Sequence, residues 1–145
     1  MKGYTLDTNM VAAHLKRNPV VTQRMRHAEA GGYPVMVNAV SYYETRRGLV
    51  FAGARTQLAA FEQLWLAQGI VMIDQAALDK AANIYADLRV AGQLIEDADI
   101  LMAATALVND LALATNNTAH FSRVTGLQIE DWLSPQACKE RHVSR

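Results

Sequence analysis

Five short runs of β-forming residues alternate with helical stretches, and that alternation limits the fold more than any other feature of the chain. The runs cover residues 4–7, 35–38, 70–73, 111–115 and 128–129. Between them, residues 8–15, 40–52, 56–68, 76–91 and 97–109 carry helical patterns, with Gly53 breaking the second from the third. Leu78, Ala81, Ala82, Tyr85 and Leu88 recur at helical spacing, and the segment 97–109 is nearly all apolar after its first turn. Such alternation predicts an α/β sandwich with a mainly parallel sheet. A length of 145 residues suits one domain, read as residues 1–134. A polar, basic tail follows over 135–145, with Lys139, Arg141 and Arg145.

Composition removes several classes of function. No apolar run approaches the roughly 20 residues that span a bilayer, so no membrane role is expected. The single cysteine, Cys138, excludes an internal disulfide and argues against a cysteine-based zinc site. A reducing, cytoplasmic setting fits best. Lys+Arg and Asp+Glu are both 14, for a formal charge of +0, so binding to nucleic acid must rest on where the charges sit.

Ligands of open parallel sheets collect at the carboxyl ends of the strands, and acids stand at those places here. Asp7 ends the first strand in Leu6-Asp7-Thr8-Asn9. Thr8 and Asn9 are candidate helix caps, and so is Asp7 itself. Glu44 begins the next helix three residues after Ser41, which is also the spacing of a capping box. Glu96, Asp97 and Asp99 precede an apolar helix, where acids complement the helix dipole. Asp97 and Asp99 lie about 200° apart around a helix, so Asp99 is read as a ligand and Asp97 as its auxiliary. Asn116 and Asn117 close the fourth strand, where turn formation and an amide facing the site are both open. Converging carboxylates repel, and a hard divalent cation relieves the repulsion. Carboxylates without His or Cys partners point to Mg²⁺, with Mn²⁺ as a substitute, and His14, His27 and His142 form no ligand-spaced pair.

Four blocks together resemble the PIN-domain ribonucleases, specifically the VapC-type toxins. They are Tyr4-Thr5-Leu6-Asp7-Thr8-Asn9, residues 38–48 ending in Glu44 and then Gly48, residues 97–107 around Asp99, and residues 113–127 closed by Glu130-Asp131-Trp132. The resemblance implies a PIN-like α/β/α sandwich. It also implies a Mg²⁺-dependent endoribonuclease that hydrolyses RNA with a metal-activated water. It places the catalytic positions on Asp7, Glu44, Asp99 and Asn117, and the metal on Asp7, Asp99 and Glu44 with Asp97. Many members carry Asp where Asn117 stands, and an apolar residue where Thr45 stands. A small antitoxin, a homodimer and a larger toxin–antitoxin assembly are further implications. The rival readings are another metal phosphohydrolase or DNA nuclease, and a non-catalytic RNA- or protein-binding module whose acids are caps.

RNA phosphates need cations near the acids. Arg46 and Arg47 follow Glu44 within one helical turn and are the leading candidates, with Lys16, Arg17, His120 and Arg123 behind them. Tyr42, Tyr43, Phe51, Leu58, Phe61, Leu64, Trp65 and Leu66 concentrate apolar bulk on residues 40–68. Most should be core, and the remainder suggests a groove for a partner helix.

Overall fold

The computed structural model describes residues 1–134 and 142–143. Strand β1 (Gly3–Leu6) leads into helix α1 (Thr8–Leu15), and α2 (Pro19–Ala30) returns the chain to β2 (Val35–Asn38). Helices α3 (Ala39–Ala52) and α4 (Arg55–Gln68) precede the short strand β3 (Ile70–Val71). Helices α5 (Gln75–Val90) and α6 (Asp97–Val108) then lead to β4 (Leu111–Ala114). The short helix α7 (Thr118–Phe121), β5 (Gln128–Glu130) and β6 (His142–Val143) complete the order.

The sheet order is β3-β2-β1-β4-β5-β6, parallel throughout except for the antiparallel pair β5–β6. Successive strands leave β1 first on one side and then on the other. The reversal falls between β1 and β4, with Leu6 beside Ala114 in the ladder. Period-two alternation on β4 feeds two cores. Ala112 and Ala114 face a cluster with Leu6, Met10, Val21, Phe61 and Trp132. Leu113 faces the other cluster, with Ile84, Ile100, Met102, Phe121 and Ile129. Helices thus cover both faces, which is the expected α/β/α sandwich with a mainly parallel sheet.

Four elements depart from the expectations. Helix α2 occupies residues left without structure, its start marked by Asn18, whose Oδ1 accepts from the N–H of Val20 at 2.9 Å, and by Pro19 in its first turn. Helix α7 follows β4 directly. Strand β3 stops at Val71 rather than residue 73. Of the expected basic tail, His142–Val143 add an edge strand, and the rest, with Cys138, lies outside the described residues.

The turn from β2 into α3 is fastened by one buried side chain. Asn38 Oδ1 accepts from the N–H of Val40 at 3.0 Å, and Nδ2 donates to the carbonyl of Met102 in α6 at 3.3 Å. One residue therefore caps α3 and ties it to α6. Asn38→Ala should cost about 1–2 kcal/mol, the loss of a cap and a buried hydrogen bond. The urea midpoint of unfolding reads it.

Candidate functional site

The acids gather at the carboxyl ends of the central strands, beside the sheet's reversal. Asp7 is 4% exposed. Its Oδ1 accepts from the N–H of Met10 at 2.9 Å, so Asp7 is the cap of α1. Its Oδ2 accepts from the hydroxyl of Thr115, just beyond β4, at 2.5 Å. Thr8 and Asn9, expected as caps, turn elsewhere because Asp7 already holds the helix end. Thr8 Oγ1 donates to Glu44 Oε1 at 2.5 Å, and Asn9 Nδ2 donates to Asn116 Oδ1 at 3.0 Å.

Glu44 is not part of a capping box. Helix α3 begins at Ala39 under the cap of Asn38, so Ser41 already lies inside the helix. The Ser41 hydroxyl donates to the carbonyl of Leu6 at 2.7 Å instead, stapling α3 to the end of β1. This presents Glu44 to Thr8 across the gap between α3 and α1. Its other oxygen, Oε2, stands 3.8 Å from Arg47, whose guanidinium lies 5.2 Å from the centre of the Tyr43 ring.

Asp99 sits in the first turn of α6, with His120 Nδ1 at 3.8 Å from its Oδ2. The same ring nitrogen is 3.0 Å from Asn117 Nδ2, while the Asn117 backbone N–H donates to Thr115 Oγ1 at 2.9 Å. A chain of contacts therefore runs Asp7–Thr115–Asn117–His120–Asp99.

Electrostatics link the three carboxylates. Burial pushes the Asp7 carboxyl up to about 6, the hydrogen bonds from Thr115 and Met10 resist the rise, and the charge on Asp99 adds to it. Burial also raises Asp99, followed by the charge on Glu96, with His120 opposing and Glu44 adding. Asp7 thus feels Asp99, and Asp99 feels Glu44.

Not every expected residue joins them. Asp97 is exposed, and the neighbouring acid whose charge reaches Asp99 is Glu96. Asn117 meets Asp99 only through His120. Arg47 stands at the rim, whereas Arg46 is exposed and makes no hydrogen bond or ion pair among the described residues. The hydroxyls of Thr8 and Thr115 and the ring of His120 complete the arrangement. The two hydroxyls were signalled only by position, each following the end of a central strand or its acid, whereas His120, expected as a cation for phosphate, stands beside Asp99.

The donor set suits a hard divalent cation. The carboxylates of Asp7, Glu44 and Asp99 repel one another, and apart from Arg47 and His120 their side-chain partners are neutral hydroxyls. Among the described residues no group of three His, Cys, Asp or Glu side chains is arranged to clasp an ion. Asp7, Glu44, Asp99 and Asp97 therefore do not form a direct four-carboxylate grip. An ion held through one or two carboxylates, with water filling its remaining positions, needs no such grip.

Comparison with known proteins agrees with this architecture. The PIN domain family matches residues 4–127. The chain is 30% identical over 128 residues to Ribonuclease VapC1 of Methanocaldococcus jannaschii, covering 87% of this chain and 85% of that one. It is 28% identical over 137 residues to the tRNA(fMet)-specific endonuclease VapC of Shigella flexneri, covering 91% and 99%. Among solved structures, VapBC2 from Rickettsia felis bound to a promoter DNA fragment superposes with a TM-score of 0.80 at 21% identity, over 89% of this chain and 98% of that one. VapBC-1 from nontypeable Haemophilus influenzae gives a TM-score of 0.79 at 22% identity, over 90% and 98%. The structural likeness speaks for the fold, and the sequence match spans the blocks that carry Asp7, Glu44, Asp99 and Asn117. On both grounds the chain belongs to the PIN-domain family, as a protein of the VapC type.

Proposed function

We propose that this protein is a metal-dependent endoribonuclease and the toxin of a toxin–antitoxin pair. The observation that carries the reading is geometric: Asp7, Glu44 and Asp99, three acids from separate segments, gather at the carboxyl ends of one sheet, beside Thr115, Thr8 and His120 respectively. In this reading Asp7, Glu44 and Asp99 hold the ion, which is Mg²⁺ with Mn²⁺ as a substitute. When bound, the ion polarises a phosphoryl oxygen and lowers the pKa of a water.

The protein's own part is orientation. Thr115 fixes Asp7, Thr8 fixes Glu44, and Asn117 fixes the ring of His120 beside Asp99. Asn117 keeps the cluster one charge less negative than an acid would. Arg47 at the rim receives the RNA phosphate, and Arg46 adds to the positive field of the same helix. Asp97 acts from the edge, through water.

The antitoxin assignment draws on the VapBC complexes among the structural neighbours and on a surface feature. Tyr43, Val50, Phe51 and Leu66 lie exposed on α3 and α4, and Phe51 is 94% exposed. Phe61 and Leu64 from the same expected set are core. An apolar segment of a small partner would cover the exposed ones. We further assign a homodimer and a cytoplasmic setting; no helix among the described residues is long and apolar enough to cross a membrane.

Cleavage assays with RNA, DNA and phosphate monoesters in parallel test the proposal. Internal cuts in RNA should require Mg²⁺ or Mn²⁺, stop with EDTA and stop with the cognate antitoxin. Undiminished cleavage in EDTA, or hydrolysis confined to DNA or monoesters, would overturn it.

A further inference from the structure

Thr45 is the residue after Glu44, and it is 8% exposed. Its Oγ1 is buried and has no hydrogen-bond partner. A buried hydroxyl left unsatisfied costs roughly 1–3 kcal/mol, so its place needs a reason. Thr45 forms part of the wall of a cavity of about 220 Å³ between α1 and α3. Thr8 and Glu44 line the same cavity, so it opens directly beside the acid cluster. Ala12, Leu15 and Leu49 supply apolar walls, Gly48 leaves room, and Lys16 and Gln57 add polar groups.

We infer that this slot receives one nucleobase of the RNA, next to the phosphate being cut, and that Thr45 helps choose the base. The inference rests on the nuclease reading above and adds a specificity site to it. Sites that enclose whole small molecules run to about 300–1,000 Å³, so the slot admits one flat ring rather than a nucleotide. Proteins that read RNA by sequence splay and unstack its bases and hydrogen-bond to their edges, and apolar as well as aromatic side chains pack against an extruded base. Here Ala12, Leu15 and Leu49 would pack against the ring, and Thr45, Lys16 and Gln57 would meet its edge. A purely apolar partner side chain would leave the Thr45 hydroxyl as unpaired as it is now. One χ1 step exchanges the positions of a threonine's methyl and hydroxyl groups and turns the hydroxyl toward a base edge. The ammonium of Lys16 offers a donor to a base carbonyl or the adjoining phosphate.

The experiment is sequencing of the cut ends from a randomised single-stranded RNA, using wild type, Thr45→Val and Gly48→Leu with Mg²⁺. Thr45→Val keeps shape and deletes the hydroxyl. Gly48→Leu adds bulk at a residue lining the slot, where an added Cβ meets open space, and it improves helix propensity. Thermal denaturation confirms that both fold. Wild type should prefer one base at a nucleotide flanking the cut. Thr45→Val should shrink that preference about 3- to 10-fold, the span of one hydrogen bond. A second substrate carries an abasic ribose at that nucleotide. The advantage of base-bearing over abasic RNA in wild type should close in Gly48→Leu. Unchanged preference in both variants overturns the slot while leaving the nuclease reading standing. So does unchanged preference with weakened inhibition by the antitoxin, which would give the slot to a protein side chain. A wild type that cuts no RNA overturns the nuclease reading itself, and the slot with it.

Discussion

Asp7→Asn is expected to give a protein that cleaves RNA about a hundredfold more slowly, or worse, yet is more stable than wild type in the absence of metal above pH 6. The stability half follows from burial. The Asp7 carboxyl titrates at about 6 rather than at its ordinary value of 3.8. Between those values the native state holds a proton that the unfolded chain has released. Stability is therefore fullest below about pH 4 and falls as the pH rises to about 6. Above that, the penalty for a buried charge is complete, on the order of 3 kcal/mol for a shift of this size. Asn carries no charge and keeps an oxygen for the N–H of Met10, so the variant should lose the pH dependence and regain most of that energy. The activity half follows from removing one of the acids assigned to hold the ion; a loss on the order of a hundredfold is comparable to that from removing one preorganised charge-stabilising group. Thermal unfolding from pH 4 to 8, with and without Mn²⁺, separates the two. The ion should stabilise wild type by binding only the native state and leave the variant nearly unmoved. A variant no more stable than wild type at pH 7 would show that Asp7 pays no burial penalty, and full activity would remove it from the site.

How far the sequence could lead depended on how far each residue's partner lay from it. The alternation of strands and helices was legible because periodicity is local, and it located the acids at strand ends before any contact was known. The role of Glu44 was not local. Its spacing from Ser41 imitates a capping box, whereas its partner Thr8 lies 36 residues upstream. Asp7 was open between cap and site ligand, and the structure has one oxygen capping α1 and the other accepting from Thr115. Helix geometry separates Asp97 from Asp99, and Glu96, one step outside the helix, is the acid on that segment whose charge reaches Asp99. Helix α2 was missed for a physical reason. Its buried face consists of Val21, Arg24, Met25 and Ala28, and a charge at a core position spoils the apolar pattern.

That charge is tolerated because of Glu130, and Glu130→Ala should be strongly destabilising. Arg24 and Glu130 are both buried, with Nη1 and Oε1 3.9 Å apart. Glu130 also accepts from Trp132 Nε1 at 2.9 Å and from the Tyr4 hydroxyl at 3.2 Å, while Arg24 Nη2 donates to the carbonyl of Ser134 at 3.0 Å. Truncating the acid strands a guanidinium in the core, a loss of about 3–5 kcal/mol. At about 2–4 °C per kcal/mol for a chain of this size, the melting temperature should drop by roughly 10 °C. Adding Arg24→Met should recover only part of this. It removes the unpaired charge, but Trp132 and Tyr4 still lack the acceptor that Glu130 provided. Full recovery in the double variant would mean that the charge alone matters, and no recovery would mean that the two donors carry the effect. The backbone of Glu130 pairs with Thr115, whose hydroxyl holds Asp7. Loss of the pair should therefore leave cleavage per folded molecule intact well below the melting temperature and abolish it as β5 loosens from β4.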